Sequence, residues 1–202
     1  MLEGSNFVVV ILAAGESKRF GRPKQLADWQ GQPLLLSIIK KVLACDIKPY
    51  VALGANSDSI LRDEILKSYL DKVLFIDGWS EGLSRSIVES VQYLERQHPR
   101  GIVFLLADQP LIELGFLKDF FLKVSETPRE LLSTSYKRMG GKLGVPAYFP
   151  YSYFGALKKL RGDQGAKYVL EKNKAEILAY DGCLIDIDEP EDLVRAGYYL
   201  GD

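Results

Sequence analysis

Four cations fall within seven residues in Lys18-Arg19-Phe20-Gly21-Arg22-Pro23-Lys24, just after the small-residue run Ala13-Ala14-Gly15. Small side chains let a ligand approach the backbone N–H groups, and clustered Lys and Arg neutralise negative charge, so the stretch reads as a cradle for a polyphosphate. Carboxylates elsewhere complement it: Asp108 in Asp108-Gln109-Pro110, Asp163 in Gly162-Asp163-Gln164-Gly165, and the alternating pair Asp186 and Asp188. These are hard oxygen ligands of the kind Mg²⁺ takes. Nucleotidyl transfer needs such a set: charge neutralisation of a triphosphate, a metal held by carboxylates, and alignment of an attacking phosphate oxygen with the α-phosphorus. A phosphate nucleophile is already deprotonated at neutral pH, so no general base is required, and the chain has a single histidine, His98.

Lys24 and Arg19 are the candidates for the α- and β/γ-phosphate contacts, assisted by the backbone N–H groups of Ala14 and Gly15. Asp108 is the first candidate for the metal; Asp163 ranks next, with Asp186 or Asp188 as the other choices for a second ligand. Each has a plainer alternative. The bland reading of the basic loop is a solvated loop, which the spacing of its fixed positions disfavours, and Asp108, Asp163 or one of Asp186 and Asp188 reads as the cap of the following helix. Two better-known phosphate loops are excluded: Gly21 is followed by Arg22-Pro23-Lys24 with no hydroxyl for a Walker A metal, and Gly15-Glu16-Ser17 breaks the dinucleotide pattern G-x-G-x-x-G.

The elements that must hold these groups follow from periodicity. Phe7 to Ile11 is an unbroken apolar run that reads as a strand buried on both faces and delivering the phosphate loop. Pro33 opens a helix with Leu35, Ile38, Ile39 and Val42 on one face; Tyr50 to Leu53 is a strand, about Asp58 to Tyr69 a helix, and Lys72 to Ile76 a strand. A helix begins near Leu83, and Gly101 to Ala107, the most apolar strand, delivers Asp108. A further helix spans about Glu113 to Ser125. Strands separated by helices predict an α/β protein with a mainly parallel sheet, whose ligand loops lie at the carboxyl ends of the strands. In the C-terminal third, Leu131 to Tyr136 and Val145 to Phe149 flank Gly140-Gly141 and read as a small hairpin-like β excursion, a wall over the substrate. Ile185 to Asp188 reads as the end of an apolar strand leading into a helix at Pro190.

With 202 residues, 47% hydrophobic content and a formal net charge of −1, the chain reads as one globular domain over 1–202. Near-neutral charge offers no field for nucleic acid or an anionic membrane, so the expected partners are small molecules. Cys45 and Cys183 lie far apart outside any C-x-x-C arrangement, which excludes zinc sites and disulfide frameworks. Neither a signal peptide nor an apolar run of membrane length is visible, and a cytoplasmic location is expected.

The stretch Leu12 to Lys24 resembles the L-A-A-G-x-S-x-R-x-G-x-x-K signature of nucleotidyltransferases with a Rossmann-like, GT-A-type domain. Further segments match in order along nearly the whole chain. Trp79 to Ile87 is similar to W-x-E-G-[ML]-S-x-S-[LI], Leu106 to Pro110 to the metal-binding D-[MQ]-P, Gly144 to Phe149 to G-[HN]-P-x-x-F, Gly162 to Lys167 to L-x-G-D-x-G-A-[RK], and Asp186 to Asp192 to D-I-D-T-P-E-D. The chain thus resembles the molybdenum cofactor cytidylyltransferases and related molybdopterin nucleotidyltransferases. The resemblance implies a Rossmann-like three-layer α/β/α fold and transfer of CMP from CTP to molybdopterin-bound molybdenum, with release of pyrophosphate and Mg²⁺ as cofactor. It places Leu12, Ala13, Ala14, Gly15, Arg19 and Lys24 on the nucleotide, with Gly82, Ser84 and Ser86 near base and ribose, and it admits transient contact with a molybdoenzyme or its chaperone. An ordinary helix start with Ser84 as cap accounts for the same serine. Val145 stands where the family often has His or Asn. The alternatives are guanylyl transfer to the same cofactor, whose enzymes usually carry G-P-L-x-G near Gly82 where this chain does not, transfer to another phosphorylated acceptor such as a sugar phosphate, and a nucleotide-binding module without turnover.

Overall fold

The structure, a computed structural model, describes residues 7–136, 141–162 and 165–199. β1 (Phe7–Ala13) leads through the phosphate loop to the short pair β2 (Asp28–Trp29) and β3 (Gln32–Pro33), then α1 (Leu34–Leu43) and β4 (Tyr50–Leu53). α2 (Ser57–Arg62), α3 (Glu64–Lys67), β5 (Val73–Phe75), α4 (Leu83–Leu94), β6 (Gly101–Leu106) and α5 (Leu114–Glu126) follow. The chain continues through β7 (Leu132–Tyr136), β8 (Lys142–Pro150), α6 (Phe154–Leu157), α7 (Lys167–Lys172), β9 (Glu176–Tyr180) and α8 (Pro190–Tyr198). Seven strands form one sheet in the order β5-β4-β1-β6-β8-β7-β9. The first four run parallel, β8 is antiparallel to both β6 and β7, and β9 is parallel to β7.

The three layers follow from the two-residue period of β1. Val9, Ile11 and Ala13 pack with Leu35, Ile38, Ile39 and Val42 of α1 and with Leu117, Phe120 and Phe121 of α5 on one face. Val10, Leu12 and Ala14 pack on the other with Ile87, Val91 and Leu94 of α4 and with Val169 and Leu170 of α7. A strand covered on both faces must be apolar at every position, which is why Phe7 to Ala13 shows no alternation. Each fully buried aliphatic side chain contributes roughly 1.5–3 kcal/mol, so these two clusters supply the rigidity on which the loops at the carboxyl ends depend. Among the described residues no helix is long and apolar enough to cross a membrane.

The structure departs from the sequence reading in three places. The helix expected over Asp58 to Tyr69 is two helices: Asp63 takes an extended conformation at ψ 118°, and its carboxylate accepts from Ile65 N and Leu66 N as the cap of α3. The β segments of the C-terminal third do pair antiparallel, and they extend the main sheet. β8 is inserted between β6 and β7, with Ile102 opposite Phe149 and Phe104 opposite Ala147. Ala147, Tyr148 and Phe149 are fully buried, and that demands cover on both faces. Ile185 to Asp188, expected as a strand end, forms no strand. This segment crosses the carboxyl end of β6, where Ile187 N donates to Asp108 O at 2.9 Å, and the strand of this region is β9 instead.

Candidate functional site

The phosphate loop leaves β1 at Ala13 and is pinned from inside by Gln25, which is 2% exposed. Its Nε2 donates to Ala13 O at 2.8 Å and Gly15 O at 3.1 Å, while its Oε1 accepts from Ser17 Oγ at 3.3 Å. Ala14 O accepts from Ala55 N, and Asn56 Nδ2 donates to Gly15 O. Three successive carbonyl oxygens, groups that would repel a phosphate, are thereby engaged within the protein. Ser17, at φ +63°, turns the chain, accepts from Lys24 N through Oγ, and so brings Lys24 back towards the start of the loop.

Lys24 meets the carboxylates there. Its Nζ donates to Asp108 Oδ2 at 2.7 Å and to Asp188 Oδ1 at 3.0 Å, and Arg19 donates to Asp188 Oδ2 at 2.8 Å. Burial pushes the Lys24 ammonium pKa down, but the adjacent Asp108 and Asp188 carboxylates outweigh it and hold it above the ordinary lysine value. Burial raises the pKa of Asp108; Lys24 opposes the shift, and the nearby Asp186 and Asp188 charges add to it. Lys24 is not the exposed loop cation a basic loop suggests, since only 16% of its side chain is open to solvent.

A cavity of about 220 Å³ lies against this pair. The loop supplies Leu12, Ala13, Ala14 and Gly15 to its wall, and the start of α4 supplies Gly82 and Ser86. Lys24 and Asp108 line it too, so eight of the sequence-selected residues converge on one space. Four others among the described residues, Arg19, Ser84, Asp186 and Asp188, do not line it. Arg19 lies outside on Asp188, and Ser84 is a buried second residue of α4 whose N–H donates to Gly162 O. Ser84 is not a helix cap either, because Gly82 at φ +100° occupies that position. Asp163 lies outside the described residues.

The carboxylates divide by partner. Asp186 Oδ1 accepts from Gln109 Nε2 at 2.8 Å, whereas Asp188 faces Lys24 and Arg19. Neither caps α8: Glu189 does so in a capping box with Asp192, whose Oδ2 takes the N–H groups of Asp188 and Glu189. Asp108 is no cap, since α5 begins after Glu113. Asp108 Oδ1 is buried without a hydrogen-bond partner among the described residues, an acceptor that a cation from outside the chain would satisfy. Among the described residues no three His, Cys, Asp or Glu side chains form a ready-made metal cluster. Asp108 with Asp188 or Asp186 would therefore hold a divalent cation jointly with substrate oxygens, the usual arrangement for Mg²⁺.

Several supporting residues escaped the sequence reading. Gln25 and Asn56 hold the loop; Gln25 is adjacent to Lys24 in the motif, while Asn56 has no local signal. Glu89 accepts from Asp77 N and Gly78 N and pairs with Arg85 at 2.7 Å, fixing the turn that carries Trp79 and Gly82 to the cavity. The half-buried Lys41 donates to Pro110 O and so ties α1 to the loop after Asp108; desolvation pushes its pKa down to about 8 against the opposing charge of Glu113. A second cavity of about 360 Å³ shares Leu12, Leu83 and Leu106 with the first. It is mainly apolar, with Gln109, Tyr136, Lys142, Lys167 and Asp186 as its polar residues.

Known proteins share this architecture. The chain is 29% identical to the purine catabolism protein PucB of Bacillus subtilis (strain 168) over 201 residues, 92% of this chain and 94% of that protein. It is 25% identical over 156 residues to a probable molybdenum cofactor guanylyltransferase of Pyrococcus horikoshii, covering 68% and 79% of the two chains. The crystal structure of Rv0371c from Mycobacterium tuberculosis H37Rv matches with a TM-score of 0.76 and 28% identity over 94% of this chain and 96% of that one. A structure of the same protein in complex with manganese matches with a TM-score of 0.72, 24% identity and the same coverage. Residues 9–177 match the MobA-like NTP transferase domain, and the chain, a nucleotidyltransferase by that match, belongs to this family.

Proposed function

We propose that the protein transfers the CMP moiety of CTP to the molybdenum-molybdopterin cofactor and releases pyrophosphate. The observation that carries this reading is the meeting of Lys24 and Asp108 at 2.7 Å on the wall of a cavity built from the phosphate loop, next to a larger and mainly apolar cavity. The triphosphate lies along Ala13 to Gly15, with Lys24 and Arg19 on its phosphates and Gly82 and Ser86 beside base and ribose. The acceptor enters the second cavity across Leu12, Leu83 and Leu106, so that its phosphate oxygen faces the α-phosphorus. Asp108, with Asp188 or Asp186, holds the divalent cation, Mg²⁺ in this reading; when bound it supplies charge neutralisation at the phosphates. Lys24 and Arg19 offset the charge that develops on the leaving pyrophosphate, and the protein supplies position and field with no covalent step of its own.

CTP is favoured by the Trp79 to Ile87 segment, which resembles the cytidylyl pattern. Guanylyl transfer is the second reading, supported by the likeness to the probable molybdenum cofactor guanylyltransferase of Pyrococcus horikoshii. A cytoplasmic enzyme acting on small molecules, in passing contact with a molybdoenzyme or its chaperone, fits both. The test is kcat/KM for CTP and GTP with one molybdopterin acceptor. A hydrogen-bonding edge that one base satisfies and the other leaves unpaired is worth ~1–3 kcal/mol, so CTP should lead by roughly 5- to 150-fold. Equal values, or a lead for GTP, would sink the cytidylyl assignment; release of pyrophosphate from neither nucleotide would sink nucleotidyl transfer itself.

A further inference from the structure

Nucleotidyl transfer gives Lys24 and Asp108 separate tasks, one on phosphate and one on metal, yet in the structure each is the other's partner. The Lys24 ammonium lies 2.7 Å from Asp108 Oδ2 and 3.0 Å from Asp188 Oδ1, and Arg19 closes on the remaining Asp188 oxygen at 2.8 Å. One cation thus bridges two carboxylates, with Asp108 Oδ1 buried and, among the described residues, unpartnered beside it. The ammonium competes with a divalent cation for Asp108 Oδ2 and Asp188 Oδ1, and its bonds to both leave it one of its three N–H donors for a phosphate.

We propose that Lys24 is a stand-in cation, a positioning residue that holds Asp108 and Asp188 together in the ligand-free protein and leaves for the phosphates when a divalent cation takes its place. The inference rests on the nucleotidyl-transfer reading of the same site. Two carboxylates gathered in a half-buried position without a cation would repel each other and pay the full cost of desolvation, so a ligand-free site needs an internal counter-charge. A triphosphate offers Lys24 and Arg19 new charge-assisted partners, and the vacated carboxylate oxygens then face the metal. Divalent cation alone is opposed by Lys24; cation and triphosphate together are mutually favoured, a positive coupling carried by one side chain. Other cations of the loop have no such part. Lys18 pairs with Glu16 at 3.0 Å, and the Arg22 guanidinium lies 5.8 Å from the centre of the Phe20 ring.

The test titrates Mn²⁺ into nucleotide-free protein and follows free Mn²⁺ by electron paramagnetic resonance. Lys24→Met is expected to bind Mn²⁺ at least ~10-fold more tightly than the parent, because the competing charge at contact distance is gone. Lys18→Ala removes an equal charge from the same loop and should stay within about twofold, because that charge is exposed and screened. The proposal is overturned if Lys24→Met binds no more tightly, if Lys18→Ala gains as much, or if neither parent nor variant binds Mn²⁺. The unmodified protein provides a second measurement that needs no variant to fold: amine acetylation read by mass spectrometry. Saturating Mn²⁺ should raise labelling of Lys24 relative to Lys18, and unchanged labelling overturns the exchange. Neither measurement uses nucleotide or acceptor, so failure of the transfer reading shows separately, as absence of pyrophosphate release by the parent.

Discussion

On one side of the wall formed by Leu12, Leu83 and Leu106, the polar side chains of the phosphate loop have partners from within the chain: Gln25 with Ala13 and Gly15, Ser17 with Lys24 N, and Lys24 with two carboxylates. On the other side, the Tyr136 hydroxyl lies buried with no partner among the described residues, and its ring is held edge-on against Tyr180. Burial pushes its pKa far above the ordinary tyrosine range. The difference reflects the ligands each region suits. A cradle for a polyanion concentrates like charges and aligned dipoles, which are unfavourable unless compensated before the ligand arrives. A mainly apolar cavity carries little such stress and tolerates an unsatisfied hydroxyl at a cost of about 1–3 kcal/mol.

Substitutions can break this contrast. The largest effect is expected from Asp108→Asn, which keeps the shape of the side chain and removes the charge: transfer should slow by ~10²–10³. Asp186→Asn, whose oxygen is already engaged by Gln109, should lose less than about tenfold. Equal losses, measured in one Mg²⁺ titration of the transfer rate, would move Asp186 into the metal site. Gln25→Leu comes next. It strips buried donors from Ala13 O and Gly15 O, so stability should fall by about 1–3 kcal/mol and KM for the nucleotide should rise more than KM for the acceptor. Thermal melts and initial rates decide it.

Tyr136→Phe carries the opposite sign for stability. Removing a buried hydroxyl that has no partner should leave the melting temperature unchanged or raise it by a few degrees, since about 1 kcal/mol shifts a chain of this size by ~2–4 °C. A lower melting temperature would mean that the hydroxyl is satisfied within the fold, and the contrast between the two cavities would fail. Lys41→Met is read in the pH dependence of stability and not in the transfer rate. With the folded pKa pushed down to about 8 from an ordinary 10.5, the folded chain binds fewer protons than the unfolded chain between those values. The contribution of Lys41 to stability therefore rises as pH climbs from 8 to 10.5 and is unfavourable below that window. Urea unfolding of parent and variant across the window should show the parent gaining on Lys41→Met; a constant difference would contradict the shift.

The regions also differ in how far they could be read from the chain alone. The phosphate loop, the strand before it and Asp108 at the end of the most apolar strand are local patterns, and in a parallel sheet local order along the chain fixes which ends carry the loops. Eight of the chosen residues converge on one cavity for that reason. The second region depends on pairing across long separations. Nothing in Lys142 to Pro150 says that it will lie between β6 and β7, and the mixed pattern of Glu176 to Tyr180 gives a weak strand signal. Ile185-Asp186-Ile187-Asp188 alternates as a strand would, but Ile187 N donates to Asp108 O at the crossing over β6 and Asp188 N to Asp192 Oδ2. Gln25, Asn56 and Glu89 act on backbone groups distant in sequence or hidden in turns, a role that residue type alone does not reveal.

The insertion of β8 beside β6 also bears on how the chain is made. As synthesis proceeds, β1, β4, β5 and β6 emerge first, and they can assemble with α1, α4 and α5 while the far edge of β6 is bare. That edge, Gly101 to Phe104, is apolar, and its proper mate arrives only with Phe149 and Ala147. Until then it is an open template for any extended segment. A nascent chain stalled after Glu126 is thus a hazard to its neighbours, and chaperones that shield unpaired strands have most to do in the interval before Pro150 leaves the ribosome.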